Sequence, residues 1–520
     1  MRSLTSDSIQ IGRAGTVLFV ALFIDKLLGI AKEVLVANHF GVSHVLDVFN
    51  IAMASTGLVI VFLTSAFVSA FVPLYTGWIK EYSPEKANKK SLSILYGNIG
   101  ILLLLTLAAY YLVPYVFPLL GYGFDPEQTD LGVRIQRWLI ILFIIEGFGI
   151  TCLGILQARK QFFCFATAPI FISLTLVVFL LINPGQNIFV LVYGLLFGTA
   201  LKVVYIFIYL KRTGFEFVTA KIDLSVLKPF YLLALPMMGS EIIAVSNFLV
   251  DQVMATSLMQ GSVSSLNYAY RISSLPIYIV VVSISRAILP YVSQYAADGD
   301  MVSFRNTYKN SIVFSGFISF FPMIFLLWFS HDIVSIILER GAFDGLATSL
   351  TAGNLFFYAF GIFFHAYVLI HGAYFVALKN TRALIFLALI SSTLNIFFNY
   401  VLMQYMAVYG IALSTSLTLF VIFILSFLII KKLIDFKESR RVINNISIMS
   451  ACSLTVYFAG FLLLNYIVPE DFGSLVYMPL FFILFLPLYF YMLWVFRTIE
   501  IESCFYIFIQ LGNAAFKKRT

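Results

Sequence analysis

The chain has 520 residues, of which 61% are hydrophobic and 11% are charged, and its formal net charge is +8. Soluble domains carry about 25% charged residues, so this composition excludes a soluble protein and indicates a polytopic membrane protein. The positive charge does not indicate nucleic-acid binding, because no polar segment combines a basic patch with aromatic residues.

Apolar segments of spanning length follow one another along the whole chain, and we count about fourteen of them. They lie at residues 14–37, 47–76, 92–118, 134–157, 163–183, 188–210, 229–258, 265–294, 307–330, 347–378, 383–405, 408–430, 444–468 and 474–497. The polar loops between them are too short to form a soluble domain. The sequence therefore predicts an all-α polytopic membrane protein.

The basic residues predict how these helices are oriented. Most of the 33 Lys and Arg residues fall in alternate loops and at the two chain ends, which the positive-inside rule assigns to the cytoplasm. Both termini are therefore expected in the cytoplasm. The exceptions are Arg134, Arg137 and Arg340 in outer loops, and Lys26, Lys32, Lys202, Arg271 and Arg286 within spans.

The first predicted helix carries four charged residues, which are Asp25, Lys26, Lys32 and Glu33. At 100° per residue they share a sector about 120° wide. A charge facing lipid at mid-membrane costs about 2.5–3.5 kcal/mol or more, so this sector is expected to face protein or a water-filled cavity. We interpret it as the lining of a transport path. The alternative is an ion-pair lattice that joins helices, with Asp25 paired to Lys32 and Lys26 to Glu33.

An internal repeat divides the chain. Residues 70–75 recur at 287–292, residues 121–125 at 339–344 and residues 154–159 at 374–379. Each pair falls at the same point of a six-helix unit with the same orientation, which predicts two parallel lobes with substrate between them. We expect an N-lobe at 1–215, a C-lobe at 216–435, two extra helices at 436–500 and a basic interfacial tail at 501–520.

Charges recur in the seventh and eighth segments. Asp251 lies deep in one helix, and Arg271 and Arg286 lie in the next. Guanidinium groups pair bidentately with phosphate, so these arginines suit an anionic head group. The alternative is a helix–helix salt bridge between Asp251 and Arg271 or Arg286.

Polar side chains later in the chain offer oxygen ligands for a cation. Asn395 and Asn399 are four residues apart on one helical face, and Thr415 follows in the next segment. Together with Asp251 they would provide the hard oxygens that a dehydrated Na⁺ needs. Asparagine pairs in membrane helices also act as interhelical hydrogen-bond partners, so both interpretations stay open here.

Catalytic motifs are not found in the sequence. No nucleophile elbow, phosphate-binding loop or zinc-protease motif is present. The spacing of Cys152, Cys164, Cys452 and Cys504 implies neither a disulfide nor a zinc site. We therefore expect a transporter and not an enzyme, with no cofactor other than a coupling ion.

Five stretches together resemble the MurJ/MviN lipid II flippases, which belong to the multidrug/oligosaccharidyl-lipid/polysaccharide exporter (MOP) superfamily. The stretches are Leu28–Gly41, Asp47–Phe49, Ser65–Pro73, Gly261–Arg271 and Ala373–Arg382. The resemblance runs from about residue 12 to about residue 430. It implies a two-lobe, V-shaped fold like that of the multidrug MATE transporters, in agreement with the repeat.

The resemblance also implies a function. It implies that an undecaprenyl-diphosphate-linked saccharide, the peptidoglycan precursor lipid II, is flipped to the outer leaflet of the bacterial inner membrane by alternating access. Family cavity residues correspond to Lys26, Lys32, Glu33, Asp47 and Arg271, and a family sodium site corresponds to Asp251, Asn395, Asn399 and Thr415. We expect a monomer that contacts membrane lipids and cell-wall synthesis proteins.

The chain departs from the family pattern in ways that reduce the cavity charge. Lys26 and Lys32 stand where Arg is usual, and Glu33 stands where Asp is usual. Val59 or Ile60 replaces a basic residue, Ser274 replaces an acid, and Asn399 stands where some members have an acid. A flippase for O-antigen or capsule repeat units is therefore an alternative. Two further classes are a cation-coupled drug antiporter, against which Lys26 and Lys32 argue, and a non-transporting scaffold.

Overall fold

The computed structural model describes residues 24–159, 161–183, 185–277, 281–435, 439–466 and 474–495. Its helices are α1 at 24–40, α2 His44–Glu81, α3 Pro84–Leu120, α4 Pro126–Leu139, α5 Leu142–Ala158, α6 Phe162–Thr167, α7 Ile170–Ile182, α8 Phe189–Arg212, α9 Leu224–Ala255, α10 Ser262–Pro276, α11 Val282–Asp298, α12 Met301–Leu338, α13 Gly345–Ala377, α14 Thr381–Met406, α15 Val408–Leu433, α16 Ser439–Tyr466 and α17 Ser474–Val495. The start of the first predicted segment and the predicted tail at 501–520 lie outside the described residues.

Each of the fourteen predicted segments overlaps at least one of these helices. Nine helical stretches within the described ranges are long and apolar enough to cross a membrane. Large apolar side chains are exposed along them, as at Leu104, Leu107 and Tyr115 of α3, which is the pattern of helices that contact lipid. The prediction of an all-α, multi-pass membrane protein is confirmed.

The described helices group into two compact units. The first unit contains the described residues up to Ser264 together with Leu338–Ala347, and the second contains Ser265–Ile337 and the described residues from Thr348 onward. The predicted division into lobes at residue 215 stays a prediction.

Aromatic side chains fill the core of the first unit. Phe67, Phe71 and Tyr75 stack along α2 with ring centroids 5.4 and 5.6 Å apart. Phe230 of α9 meets Phe67 edge-on at 5.0 Å. All four side chains are buried, so α9 packs against α2 within this unit.

The repeated motifs adopt matching local structures. Asp125 accepts a hydrogen bond from the Gln128 amide at 2.8 Å and caps α4, and Asp344 accepts one from the Ala347 amide at 2.8 Å and caps α13. Beyond the ends of α5 and α13, an amide donates to the carbonyl five residues earlier, from Gln161 to Leu156 and from Asn380 to Phe375, both at 2.9 Å. Similar sequence therefore produces the same caps.

Candidate functional site

The charges of α1 form two ion pairs between sequence neighbours. The Lys32 Nζ lies 2.7 Å from the Glu33 Oε1, and the Lys26 Nζ lies 3.8 Å from the Asp25 Oδ2. The lattice alternative pairs Asp25 with Lys32 and Lys26 with Glu33 instead, and it stays open beside the transport-path interpretation. The Lys26 side chain is 60% exposed, whereas the other three are at most 22% exposed. Lys26 is therefore the most accessible charge of α1.

A serine that the sequence pattern does not single out contacts this cluster. Ser173 of α7 donates from its Oγ to the Asp25 Oδ1 at 3.1 Å. The two residues are 148 positions apart, so no local pattern indicates the contact. It links the charged helix α1 to the body of the first unit.

Asp47 lies at the start of α2 and is buried. Its carboxylate accepts hydrogen bonds from the Gly261 amide at 2.6 Å, from the Ser264 amide at 2.6 Å and from the Ser264 hydroxyl. It therefore binds the N-terminal backbone of α10, where amides have no partner within the helix. The role of Asp47 as a substrate ligand stays a prediction.

The loops near Asp47 pack closely in the first unit, at the end that the sequence predicts to face outward. The Ala342 amide donates to the Asn38 carbonyl at 2.9 Å. Gly41 and Gly341 have φ of +55° and +60°. A Cβ on Gly41 would collide with the backbone of Ala342, and one on Gly341 would collide with Asn38 in the last turn of α1. This end is therefore held by backbone contacts that require glycine.

The remaining predicted cations lie in the second unit. Arg271 is on α10 and its side chain is exposed. Arg286 is on α11, and its side chain lies outside the described part of the structure. Their contact with a phosphate group stays a prediction.

The predicted sodium ligands divide between the units. Asp251 is buried on α9 of the first unit, whereas the other three belong to the second. The Asn399 Nδ2 lies 3.4 Å from the Asn395 Oδ1, and Ser414 of α15 donates to the Asn395 carbonyl at 3.2 Å. Thr415 donates to the Ile411 carbonyl at 3.3 Å. The two asparagines are therefore together and buried, in a seam between α14 and α15.

An intramembrane ion pair joins two spans of the first unit. The sequence indicates Lys202 as a charge within a span, but it does not indicate the partner. The Lys202 Nζ lies 2.5 and 2.7 Å from the two carboxylate oxygens of Glu146, which joins α8 to α5. An acid and a base in neighbouring spans are the sequence signal that would have found this pair.

The second unit also contains an apolar cavity of about 510 Å³. Phe320, Phe356, Phe363 and Phe423 are among its lining residues, and Leu454 and Tyr457 of α16 complete one side. The lining is almost entirely apolar, so the cavity suits a hydrocarbon chain and not a charged group.

Ionisable residues inside membrane spans mark transport pathways. This multi-pass helical protein has such a pair in Glu146 and Lys202, together with the exposed Lys26 on a helix that the sequence places in the bilayer. These features are typical of a membrane transporter. A family model described as "Lipid II flippase MurJ" matches residues 36–485. The chain therefore belongs to the lipid II flippase MurJ family, and the resemblance noted from the sequence is confirmed.

Individual relatives agree with this family. A probable lipid II flippase MurJ from Rickettsia prowazekii is 28% identical over 78% of this chain and 81% of its own length. The lipid II flippase MurJ of Thermosipho africanus is 28% identical over 76% of this chain and 81% of its own length.

The solved structures show the fold. A lipid II flippase MurJ in an inward closed conformation matches with a TM-score of 0.79 and 24% identity, covering 92% of this chain and 98% of that one. An inward-facing MATE family transporter of the MOP superfamily matches with a TM-score of 0.67 and 15% identity, covering 81% of this chain and 98% of its own. The MOP-type fold is confirmed.

Proposed function

We propose that this chain moves lipid II from the cytoplasmic to the outer leaflet by alternating access. The observation that carries the proposal is Lys26, an exposed cation on a helix that the sequence places in the bilayer. Exposed charge is costly in lipid, so this position needs a hydrated or anionic surrounding. The diphosphate of a lipid-linked saccharide would supply the anion.

Each charge has a distinct role in this proposal. Lys26, Lys32 and Arg271 attract the diphosphate, and Arg286 adds a further cation. Asp25 and Glu33 neutralise the lysines when substrate is absent, which lowers the cost of holding them in a membrane. Asp47 holds the start of α10 while the outward end of the first unit is closed.

The long isoprenoid chain needs an apolar path. The cavity beside α16 offers about 510 Å³ of almost wholly apolar space. We place part of the hydrocarbon tail there, with the rest in the surrounding lipid.

A coupling ion belongs to the proposal as well. Asp251, Asn395, Asn399 and Thr415 would provide oxygen ligands for Na⁺, and the burial of the two asparagines supports this. Return to the substrate-accepting state is driven by this ion or by the membrane potential acting on cavity charge.

The setting follows from the family and the charge pattern. We place the chain in the bacterial inner membrane with both termini in the cytoplasm, as a monomer that contacts cell-wall synthesis proteins. It makes and breaks no covalent bond of its substrate.

The test measures lipid II in the outer leaflet. Bacteria depleted of their own flippase would express this chain, and an externally added enzyme would cleave any exposed lipid II. We expect cleavage to be restored by the unmodified chain and lost in Lys26→Ala and Arg271→Ala. Lys89→Ala is the control, because Lys89 is exposed and pairs with Glu85 outside the α1 cluster.

A chain that reaches the membrane but restores no cleavage would contradict the lipid II proposal. The cavity charges lost at Val59 or Ile60, at Ser274 and at Asn399 would then favour a flippase for O-antigen or capsule repeat units. That alternative is distinguished by complementation of a strain that lacks surface polysaccharide export.

A further inference from the structure

The carboxylate of Asp25 is divided between two partners. Its Oδ1 accepts a hydrogen bond from Ser173 at 3.1 Å, and its Oδ2 lies 3.8 Å from the Lys26 Nζ. Asp25 is only 14% exposed, whereas Lys26 is 60% exposed. A carboxylate has a rigid plane, so fixing one oxygen also fixes the direction of the other.

Ser173 is held on a well-packed element. Its neighbour Phe171 contacts the ring of Tyr205 on α8 at 4.9 Å between centroids. Gly198 of α8 lies against the backbone of Ile172 and the side chain of Thr175, so the two helices approach closely. Packing on both sides of Ser173 therefore fixes the backbone position from which its hydroxyl reaches Asp25.

The same half of α1 is otherwise open. Ile24, Leu27 and Ile30 are 42%, 51% and 42% exposed. The hydrogen bond from Ser173 thus anchors a part of α1 that packs lightly, and it does so through the residue beside the accessible cation.

We propose that Ser173 is a positioning residue for the substrate cation Lys26. Ser173 holds one oxygen of Asp25, and the other oxygen holds the Lys26 ammonium in place. The phosphate of the substrate then replaces Asp25 as the partner of that ammonium. Ser173 touches no substrate in this scheme and acts through Asp25. The inference rests on the proposed function, because it assumes that Lys26 binds the substrate phosphate.

The test compares substrate affinity in purified protein reconstituted in lipid nanodiscs, with lipid II as the probe. We expect Ser173→Ala to weaken binding about fivefold, because it removes one hydrogen bond to the Asp25 carboxylate. The effect is modest because Ser173 acts on Lys26 only through Asp25. Ser173→Thr keeps the hydroxyl and should retain affinity. Thr175→Val is the matched control, because the Thr175 hydroxyl on the same helix donates to the Phe171 carbonyl of its own helix.

A double-mutant cycle distinguishes a positioning role of Ser173 from a merely structural one. In a Lys26→Ala background, Ser173→Ala should cause no further loss of affinity. It should also cause no further loss in an Asp25→Asn background. An equal loss in all backgrounds, or unchanged affinity in Ser173→Ala, would overturn the inference. Should Ser173→Ala fail to fold, Ser173→Cys, whose thiol is only a weak hydrogen-bond donor, must show the same loss of affinity for the inference to stand.

Failure of the proposed function gives a different result. If the unmodified chain does not bind lipid II, the proposed substrate is wrong. If it binds lipid II and the Ser173 variants behave like Thr175→Val, only the positioning role is wrong.

Discussion

Glu146 and Lys202 form a charged pair that we expect to be costly to break and inexpensive to replace. Their side chains are only 19% and 12% exposed, and both carboxylate oxygens contact the ammonium. Removing one partner leaves a poorly solvated charge, whereas replacing both by apolar residues removes the desolvation cost together with the attraction.

We therefore expect Lys202→Met or Glu146→Leu alone to lower the free energy of unfolding by about 3–5 kcal/mol. The double variant Glu146→Leu/Lys202→Met should recover most of that loss. Thermal unfolding of purified protein in detergent measures the stability of the single variants and of the double variant. The exposed pair Lys89–Glu85 is the control, since such pairs contribute about 0–1 kcal/mol. A double variant as unstable as the sum of the single variants would refute the argument.

Arg159 makes three hydrogen bonds where four segments of the first unit meet. It donates to the Tyr75 hydroxyl, to the Asn88 side-chain oxygen and to the Thr213 carbonyl, each at 3.3 Å. The sequence indicates this residue only as part of a repeated motif. Its partners lie on distant parts of the chain, so they could not be read from local spacing.

At the scale of helices and loops, the α1–α2 connection depends on one glycine. Gly41 has φ of +55°, and a Cβ there would meet the carbonyl of Ala342. We expect Gly41→Ala to reduce both thermal stability and lipid II exposure, because it strains the backbone and pushes the facing loop away.

Gly29→Ala provides the control for this change. Gly29 lies on α1, and a Cβ added there would have no neighbouring side chain or facing backbone within 4 Å. Alanine also favours helix over glycine, so this variant should leave stability unchanged or slightly raised. If both variants behave alike, the loop contact does not hold this end of the first unit.

We expect the start of α9 to be sensitive to acid. Asp223 precedes α9 outside the spanning segments, and its pKa lies below the ordinary value because the hydroxyl and amide of Ser225 donate to its carboxylate. A lowered pKa stabilises the folded state above the unfolded value of about 3.9, and this contribution is lost as the pH falls through the lower folded value.

We therefore expect amide exchange at the start of α9 to quicken as the pH falls below about 4, after correction for the intrinsic rate. Asp223→Asn cannot titrate, so it should remove this dependence while still capping the helix. An identical pH profile in the variant and the unmodified chain would show that another group is responsible.

The predictability of an element depends on whether its signal is local. The spans can be predicted because about twenty apolar residues are a local pattern, and the Asp125 cap follows from its position before Pro126. The contacts of Asp25 with Ser173 and of Asp47 with Gly261 join residues 148 and 214 positions apart. Hydropathy carries no information about such pairings, so they had to come from the structure.

For the whole molecule, composition and motifs together were enough to predict the fold class and the family. They were not enough to predict which residues pack together. The sequence repeat places a boundary near residue 215, whereas α9 packs its Phe230 against Phe67 of α2 within the first unit. A repeat boundary is set by where similar sequence begins again, whereas a compact unit is set by which helices bury apolar surface against each other. The two boundaries therefore need not coincide.

The short segment Leu338–Ala347 bears on how the protein is made. It belongs to the first unit, although Ser265–Ile337 of the second unit precede it in the chain. A ribosome must therefore synthesise those helices before the amide of Ala342 can meet the carbonyl of Asn38. The end of the first unit that is predicted to face outward is completed only after helices of the second unit have been made, so the two units mature in an interleaved order instead of one after the other.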